Sequence, residues 1–280
     1  MDRAETLTAN PFARALRSWF LPFDYPLSPA TPLPLRHRLA LGTQVLIGRL
    51  SAWLYAPVVT LIMRLVMRYR FRDLRQVRRR FAQIRADHPG PLLICPNHLT
   101  MVDSAIVAWA LAPTRRYLTD YAALPWNVPE QTNFANPFLR VFCYLAKCLP
   151  IRRGGSRQSQ QAVMAKCAEV MRRGEPVLVF PEGRRSRRGG VDTEAMADGV
   201  GRLIKAVPGC KVLCVYLRGD GQDAYSALPR RGERFYVDLS LIEPSATGQG
   251  IRATRELTTA VLEELLRMEE LYRVHRQRRG

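Results

Sequence analysis

Three short stretches of this sequence carry residue types that can do chemistry. The first is Asn97-His98, which ends an apolar run beginning at Leu92 and is followed, five residues after the histidine, by Asp103. A carboxylate on one imidazole nitrogen fixes the tautomer of the ring and leaves the other nitrogen free to take a proton. The pair is therefore suited to general-base chemistry on a bound hydroxyl.

His98 and Asp103 can meet only if the chain turns between them, since residues five apart on a regular helix point about 140° away from each other. A strand that ends near Asn97, a loop, and a helix that starts near Asp103 supply that turn. Thr100 and Asp103 are both suitable caps for the helix. The sequence has no Gly-x-Ser-x-Gly motif, so the proton is expected to come from a substrate hydroxyl. The alternative is a loop histidine beside an unrelated capping acid.

The second and third stretches place glycine and arginine directly after apolar runs. Residues 180–188 contain Pro-Glu-Gly and then four arginines in five residues, and residues 149–155 contain two arginines followed by two glycines. Glycine lets a ligand approach the backbone closely, and the arginine fork binds phosphate oxygens in pairs. Because ligands bind at the strand ends of open α/β sheets, two such clusters favour an anion pocket over a solvated basic surface.

Together and in this order, the three stretches resemble the motifs of the glycerolipid acyltransferases, the family that includes the 1-acylglycerol-3-phosphate acyltransferases. Asn97-His98-x-x-x-x-Asp103 resembles the first motif of that family, and Phe180–Ser186 is similar to its Phe-Pro-Glu-Gly-Thr-Arg-Ser motif. Leu149–Arg153 resembles the motif between them, which commonly ends in Asp-Arg. Lys211–Gly219 stands where the family has its last strand motif. The resemblance covers about Arg85 to Ile242.

The resemblance implies an acyltransferase that moves a fatty acyl group from an acyl thioester to the hydroxyl of a lysophospholipid-type acceptor. Lysophosphatidic acid, which would become phosphatidic acid, is the default acceptor, and another lyso-lipid such as a lyso-aminolipid is the alternative. The donor would be acyl-coenzyme A or acyl carrier protein, and no cofactor or metal is required. His98 would be the general base and Asp103 the acid that orients it. The residues implied in substrate binding are Arg152, Arg153, Glu182, Gly183, Arg184 and Arg185.

This chain departs from the family motifs by two additional positive charges. Arg184 replaces the usual threonine and Arg152 replaces the usual acid, which leaves the acceptor open. The whole chain carries a formal charge of +19, which predicts attraction to an anionic membrane surface or to an acidic carrier protein. Nucleic acid is not expected as a partner, because the basic residues are spread along the chain without a recognisable nucleic-acid-binding motif. The remaining alternatives are a basic nucleic-acid-binding protein and a non-catalytic membrane protein.

Short apolar runs alternate with helical patterns from residue 90 onwards, which is typical of an α/β fold. We predict a mixed, mostly parallel sheet flanked by helices. The predicted strands are Pro91–Pro96, Arg116–Tyr121, Cys148–Arg152, Pro176–Phe180, Lys211–Leu217 and Arg234–Ile242. The predicted helices are Ser104–Leu111, Pro137–Ala146, Ser156–Arg173, Thr193–Ala206 and Gly250–Glu270.

An apolar segment flanked by arginines, residues 39–72, precedes this pattern. A membrane-spanning helix needs roughly 20 apolar residues, and Arg49 and Pro57 interrupt the segment. Three arrangements fit: helices inserted into one leaflet, a span formed by residues 39–63, or a helical hairpin packed on the soluble domain. No apolar core of a signal peptide occurs in the first twenty residues, so we expect the protein on the cytoplasmic face of the inner or cell membrane.

The chain is thus predicted to contain four parts. They are an N-terminal extended or amphipathic segment (1–38), a membrane-associated helical segment (39–72), an acyltransferase α/β domain (73–270) and a basic tail (271–280). Six cysteines are present without a Cys-x-x-Cys pair, and we expect buried free thiols rather than disulfides or a zinc site.

Overall fold

The structure is a computed structural model that describes residues 33–134, 136–187, 189–194, 196–222 and 226–277. Residues 1–32 of the predicted N-terminal segment and residues 278–280 of the predicted basic tail lie outside the described residues.

A sheet of six strands organises the described part of the chain, in the spatial order β1-β6-β5-β2-β4-β3. Strands β5 and β6 are antiparallel, and every other neighbouring pair is parallel. The predicted mixed, mostly parallel sheet is therefore confirmed. The strands are β1 (Arg70–Phe71), β2 (Leu92–Pro96), β3 (Trp126–Asn127), β4 (Val177–Leu178), β5 (Lys211–Gly219) and β6 (Arg234–Ile242).

Helices cover both faces of this sheet because the strand side chains alternate between two cores. Leu93 and Cys95 of β2 join one buried cluster with helices α6, α7 and α8, while Leu92 and Ile94 join another with α2 and α3. The described helices are α1 (Leu35–Leu61), α2 (Leu74–Asp87), α3 (Asp103–Leu111), α4 (Thr114–Thr119), α5 (Pro137–Leu145), α6 (Arg157–Arg172), α7 (Asp198–Ala206) and α8 (Gly250–Gln277). The six cysteines are buried and free, as predicted.

Two of the predicted strands are wrong. Arg116–Tyr121 is helix α4 followed by a 3₁₀ turn, and its buried residues Tyr117 and Tyr121 have the four-residue spacing of a helical face. Cys148–Arg152 forms only isolated bridges, in which Cys148 and Ile151 pair with Asn127 and Glu130. In this parallel register the backbone nitrogen of Pro129 would donate to the Leu149 oxygen, but proline has no N–H, which interrupts the ladder.

The helix boundaries differ from the prediction mainly at α7 and α8. Helix α7 begins at Asp198 rather than Thr193, because the preceding residues form a turn in which the Asp192 side chain accepts the Glu194 N–H. Helix α8 continues past Glu270 to Gln277.

Helix α1 is one continuous helix, which a short π-helix extends from Ile62 to Val66. The segment is therefore a single element of 32 residues and not the helical hairpin that was one of the expected arrangements. By length and composition alone, this element could cross a membrane. Pro57 lies inside it. Most of its leucines are exposed, so its outer face lacks a protein partner among the described residues.

The inner face of α1 packs on the α/β domain. The Gln44 side chain donates to the backbone oxygens of Tyr144 and Cys148 at 2.9 and 3.1 Å. Gly48 lies so close to α5 that a Cβ there would be 2.7 Å from the oxygen of Leu145. Helix α1 therefore contacts the α/β domain through side-chain hydrogen bonds and close backbone packing.

Candidate active site

His98 and Asp103 meet across the turn between β2 and α3. The Nδ1 atom of His98 lies 3.1 Å from Oδ2 of Asp103, whose side chain is 1% exposed. The same oxygen accepts the backbone N–H groups of Leu99 and Thr100 at 2.6 and 2.7 Å, and the Thr100 hydroxyl donates to the other oxygen. Four donors thus converge on one buried carboxylate, which fixes its position.

The imidazole of His98 is held in one orientation. Its contact with the Asp103 carboxylate assigns the proton of the neutral ring to Nδ1. The Phe180 ring stacks on it with centroids 3.8 Å apart and an interplanar angle of 15°. The described residues provide no hydrogen-bond partner for Nε2, and the residue lines a cavity. This nitrogen is therefore available to a bound substrate.

Asn97 ties the histidine loop to the centre of the sheet. Its side-chain oxygen accepts the Leu217 N–H at 2.7 Å, and its side-chain nitrogen donates to the Leu217 oxygen at 3.0 Å. The amide side chain extends the pairing of β2 with β5 by one residue beyond the end of β2. The asparagine beside His98 is thus explained by backbone pairing, which the sequence did not reveal.

Glu182 and Ser186 hold the backbone of His98 from the opposite side. Oε1 of Glu182 accepts the His98 N–H at 2.7 Å, and Oε2 accepts the Asp192 N–H at 3.0 Å. The Ser186 N–H donates to the His98 oxygen at 2.8 Å. Burial raises the pKa of Glu182 to about 8, although the two N–H groups oppose that shift. Both carboxyl oxygens are already engaged within the protein.

The backbone conformation at position 183 requires glycine. Its φ angle is +66°, and a Cβ would lie 3.2 Å from the Cβ of Ala197. The Ala197 N–H also donates to the oxygen of Pro181 at 2.8 Å. The glycine therefore permits a tight turn beside Glu182.

The predicted arginines surround the same cavity, and two of them pair with carboxylates. Arg153 Nε lies 3.2 Å from Glu130, and Arg184 lies 3.0 Å from Asp192. Apart from Asp103, which reaches the site through His98, all of the predicted site residues line the cavity: His98, Arg152, Arg153, Glu182, Gly183, Arg184 and Arg185.

The cavity has a volume of about 1070 Å³, at the upper end of the range for small-molecule sites. Helix α1 and its π-helical extension contribute apolar wall residues such as Val59 and Met63, and α3 contributes Ala105 and Trp109. The sequence did not predict that the membrane-associated segment would form part of the site. Arg202 of α7 also lines the cavity, although it belongs to none of the recognised motifs.

Comparison with known proteins agrees with this geometry. A family model described as Acyltransferase matches residues 68–218, just over half of the chain, and this range contains His98, Asp103 and the arginine clusters. The chain therefore belongs to the acyltransferase family that includes the glycerolipid acyltransferases. No curated protein matches the chain.

Proposed function

We propose that the protein transfers a fatty acyl group from an acyl thioester to the hydroxyl of a lysophospholipid-type acceptor. The observation that carries the proposal is the 3.1 Å contact between His98 Nδ1 and Asp103 beside a cavity that combines apolar walls with arginines. The apolar walls suit a fatty chain, and the arginines suit an anionic headgroup.

In the proposed reaction, Nε2 of His98 removes the proton from the acceptor hydroxyl as its oxygen attacks the thioester carbonyl carbon. The tetrahedral intermediate collapses, the carbon–sulfur bond breaks, and the imidazolium returns the proton to the leaving sulfur. The Asp103 carboxylate stabilises the imidazolium between these steps. The products are an acylated acceptor and a free thiol, without a covalent enzyme intermediate.

Lysophosphatidic acid is the acceptor that we propose first, with phosphatidic acid as the product. The cationic groups that line the cavity support an anionic acceptor. A lyso-aminolipid or another lyso-lipid is the alternative, since Arg152 and Arg184 add charge where the related motifs carry an acid and a threonine. The donor is acyl-coenzyme A or acyl carrier protein.

We also propose that the enzyme works on an anionic membrane at the cytoplasmic face. The exposed leucines of α1 support this location, and α5 adds a second apolar surface beside it. On α5, Phe138 is 85% exposed, while Phe142 contacts Tyr55 of α1 edge to face. Arginines close to α1, including Arg64 and Arg68, would meet anionic headgroups.

The acceptor can be identified with the full-length protein in neutral detergent. Each member of a lyso-lipid panel is incubated with acyl-coenzyme A or with acyl carrier protein carrying the same chain, and the products are identified by lipid mass spectrometry. We expect phosphatidic acid from lysophosphatidic acid. Absence of an acylated product from every lyso-lipid with both donors would contradict the proposal.

A further inference from the structure

Five arginines line the cavity beside His98, and their charges are not equally available to a ligand. Arg153 pairs with Glu130, and Arg184 pairs with Asp192. A guanidinium group that already faces a carboxylate has part of its charge and part of its donor capacity satisfied. These two arginines are therefore weakened as binding groups for a further anion.

Arg152 and Arg202 differ from that pair. Both line the cavity, yet neither guanidinium makes a hydrogen bond or an ion pair with any residue that the structure describes. Asp198, one turn before Arg202 on α7, also lines the cavity but lies outside ion-pair distance of it. Two cationic residues of the cavity lining thus lack a carboxylate partner among the described residues.

Helix α6 brings the segments that carry these two arginines together. The Gln160 side chain on α6 lies 3.5 Å from the backbone oxygen of Arg152. One turn further along the helix, the sulfur of Met164 lies 3.4 Å from the position of a Cβ on Gly199 in α7. Arg202 follows Gly199 by three residues and so lies on the same side of α7. The Arg152 loop and the first turns of α7 therefore flank one face of α6.

We infer that Arg202 adds a further cationic group beside Arg152 of the recognised motif and binds the anionic headgroup of the acceptor. This inference rests on the proposed function and assigns a role to Arg202, which lies outside the recognised motifs. In a lysophospholipid, the reacting hydroxyl and the phosphate are only a few bonds apart, so a site in the same cavity as His98 suits them both. The phosphates of coenzyme A and of carrier-bound pantetheine lie at the far end of a long arm from the thioester.

A direct binding measurement tests this inference without relying on turnover. The His98→Ala protein in neutral detergent is titrated with radiolabelled lysophosphatidic acid, alone and combined with Arg202→Gln, Arg152→Gln or Arg255→Gln. Arg255 is an exposed arginine of α8 away from the cavity and serves as the matched control. A charge-assisted hydrogen bond is strong enough that each cavity variant should weaken binding by about ten- to a hundredfold, while the control leaves it unchanged.

Two further arms separate the possible sources of the anion and exclude misfolding. Arg202→Gln should leave the binding of 1-monoacylglycerol unchanged, because this lipid lacks the phosphate. In the protein that retains His98, the same substitution should leave the Michaelis constants for both thioester donors unchanged. Arg202→Lys should restore part of the affinity for lysophosphatidic acid, because it keeps the charge without the planar fork.

Unchanged affinity for lysophosphatidic acid in the Arg202→Gln protein would overturn the inference. An equal loss for monoacylglycerol, or a selective loss for the donors, would overturn it as well. If lysophosphatidic acid binding depends on both arginines but the enzyme acylates no lyso-lipid, the proposed function fails and the headgroup site stands.

Discussion

The Glu182 carboxylate lies 2.7 Å from the backbone nitrogen of His98, a residue 84 positions earlier in the chain. Its other oxygen holds the loop of Asp192, and that residue pairs with Arg184. Glu182 therefore links the histidine loop to the arginine cluster. This geometry explains a buried glutamate at the site through positioning, with both oxygens facing backbone N–H groups.

The stability of the protein should reflect the buried carboxyl of Glu182. Burial raises the pKa of this group to about 8 from an ordinary value of 4.5. Between these values the folded protein retains a proton that the unfolded chain has released, so the contribution of Glu182 to stability falls as pH rises. Denaturant unfolding of the wild type and the Glu182→Gln variant at pH 5, 6.5 and 8 measures this contribution.

We expect the wild type to lose stability relative to Glu182→Gln as pH rises through this range. Glu263→Gln, a change at an exposed glutamate of α8, is the matched control and should give a difference that is almost independent of pH. A constant difference between the wild type and Glu182→Gln would show that the carboxyl is ionised throughout the range.

The turn at Gly183 should be needed for activity as well as stability. Alanine at φ +66° costs about 1–2 kcal/mol of backbone strain, and its Cβ would press on Ala197 beside Glu182. Gly174→Ala is a matched control, because Gly174 has φ +82° but open space around the position of a Cβ. We expect both variants to be less stable in denaturant unfolding, and only Gly183→Ala to lose acyl transfer; equal activities would argue against a role for this turn.

Several features of the fold follow from the sequence because they depend on local patterns. The buried run Leu92–Pro96, with Asp103 as an acid at the start of α3, was sufficient to predict the turn that unites His98 and Asp103. Strands β1 and β3 are only two residues long, which is too short for any alternation to show. Their pairing is set by neighbouring strands rather than by their own residues.

Site residues that belong to a motif could be predicted from the sequence. Site residues and contacts that depend on long-range packing could not. Glu182 stands in a recognisable motif, yet its contact with His98 depends on the parallel pairing of β2 with β4. Arg202 carries no local signal, since an arginine on an amphipathic helix is ordinarily solvated. The contribution of α1 to the cavity wall depends on the packing of Gln44 and Gly48 against α5, which is a long-range contact.

The apolar surface of α5 should insert into the bilayer together with α1. The native cysteines are all buried, so an environment-sensitive thiol probe can be attached selectively at Phe138→Cys or, as a control, at Ile251→Cys on α8. Both positions carry well-exposed apolar residues in the wild type. With anionic vesicles, we expect a blue shift and quenching by brominated lipid tails for the probe at position 138 alone; the same emission at both positions would contradict membrane contact by α5.

The central claim is that Nε2 of His98 removes the proton from the acceptor hydroxyl, and a single-turnover measurement tests it most directly. Acyl transfer from acyl-coenzyme A to lysophosphatidic acid is timed for the wild type, for His98→Ala and for His275→Ala, an exposed histidine of α8. Loss of a general base typically lowers the rate by about 10²–10⁴-fold. We predict such a loss for His98→Ala with unchanged binding of lysophosphatidic acid, and a wild-type rate for His275→Ala. A His98→Ala enzyme that retains a rate close to that of the wild type would contradict the account.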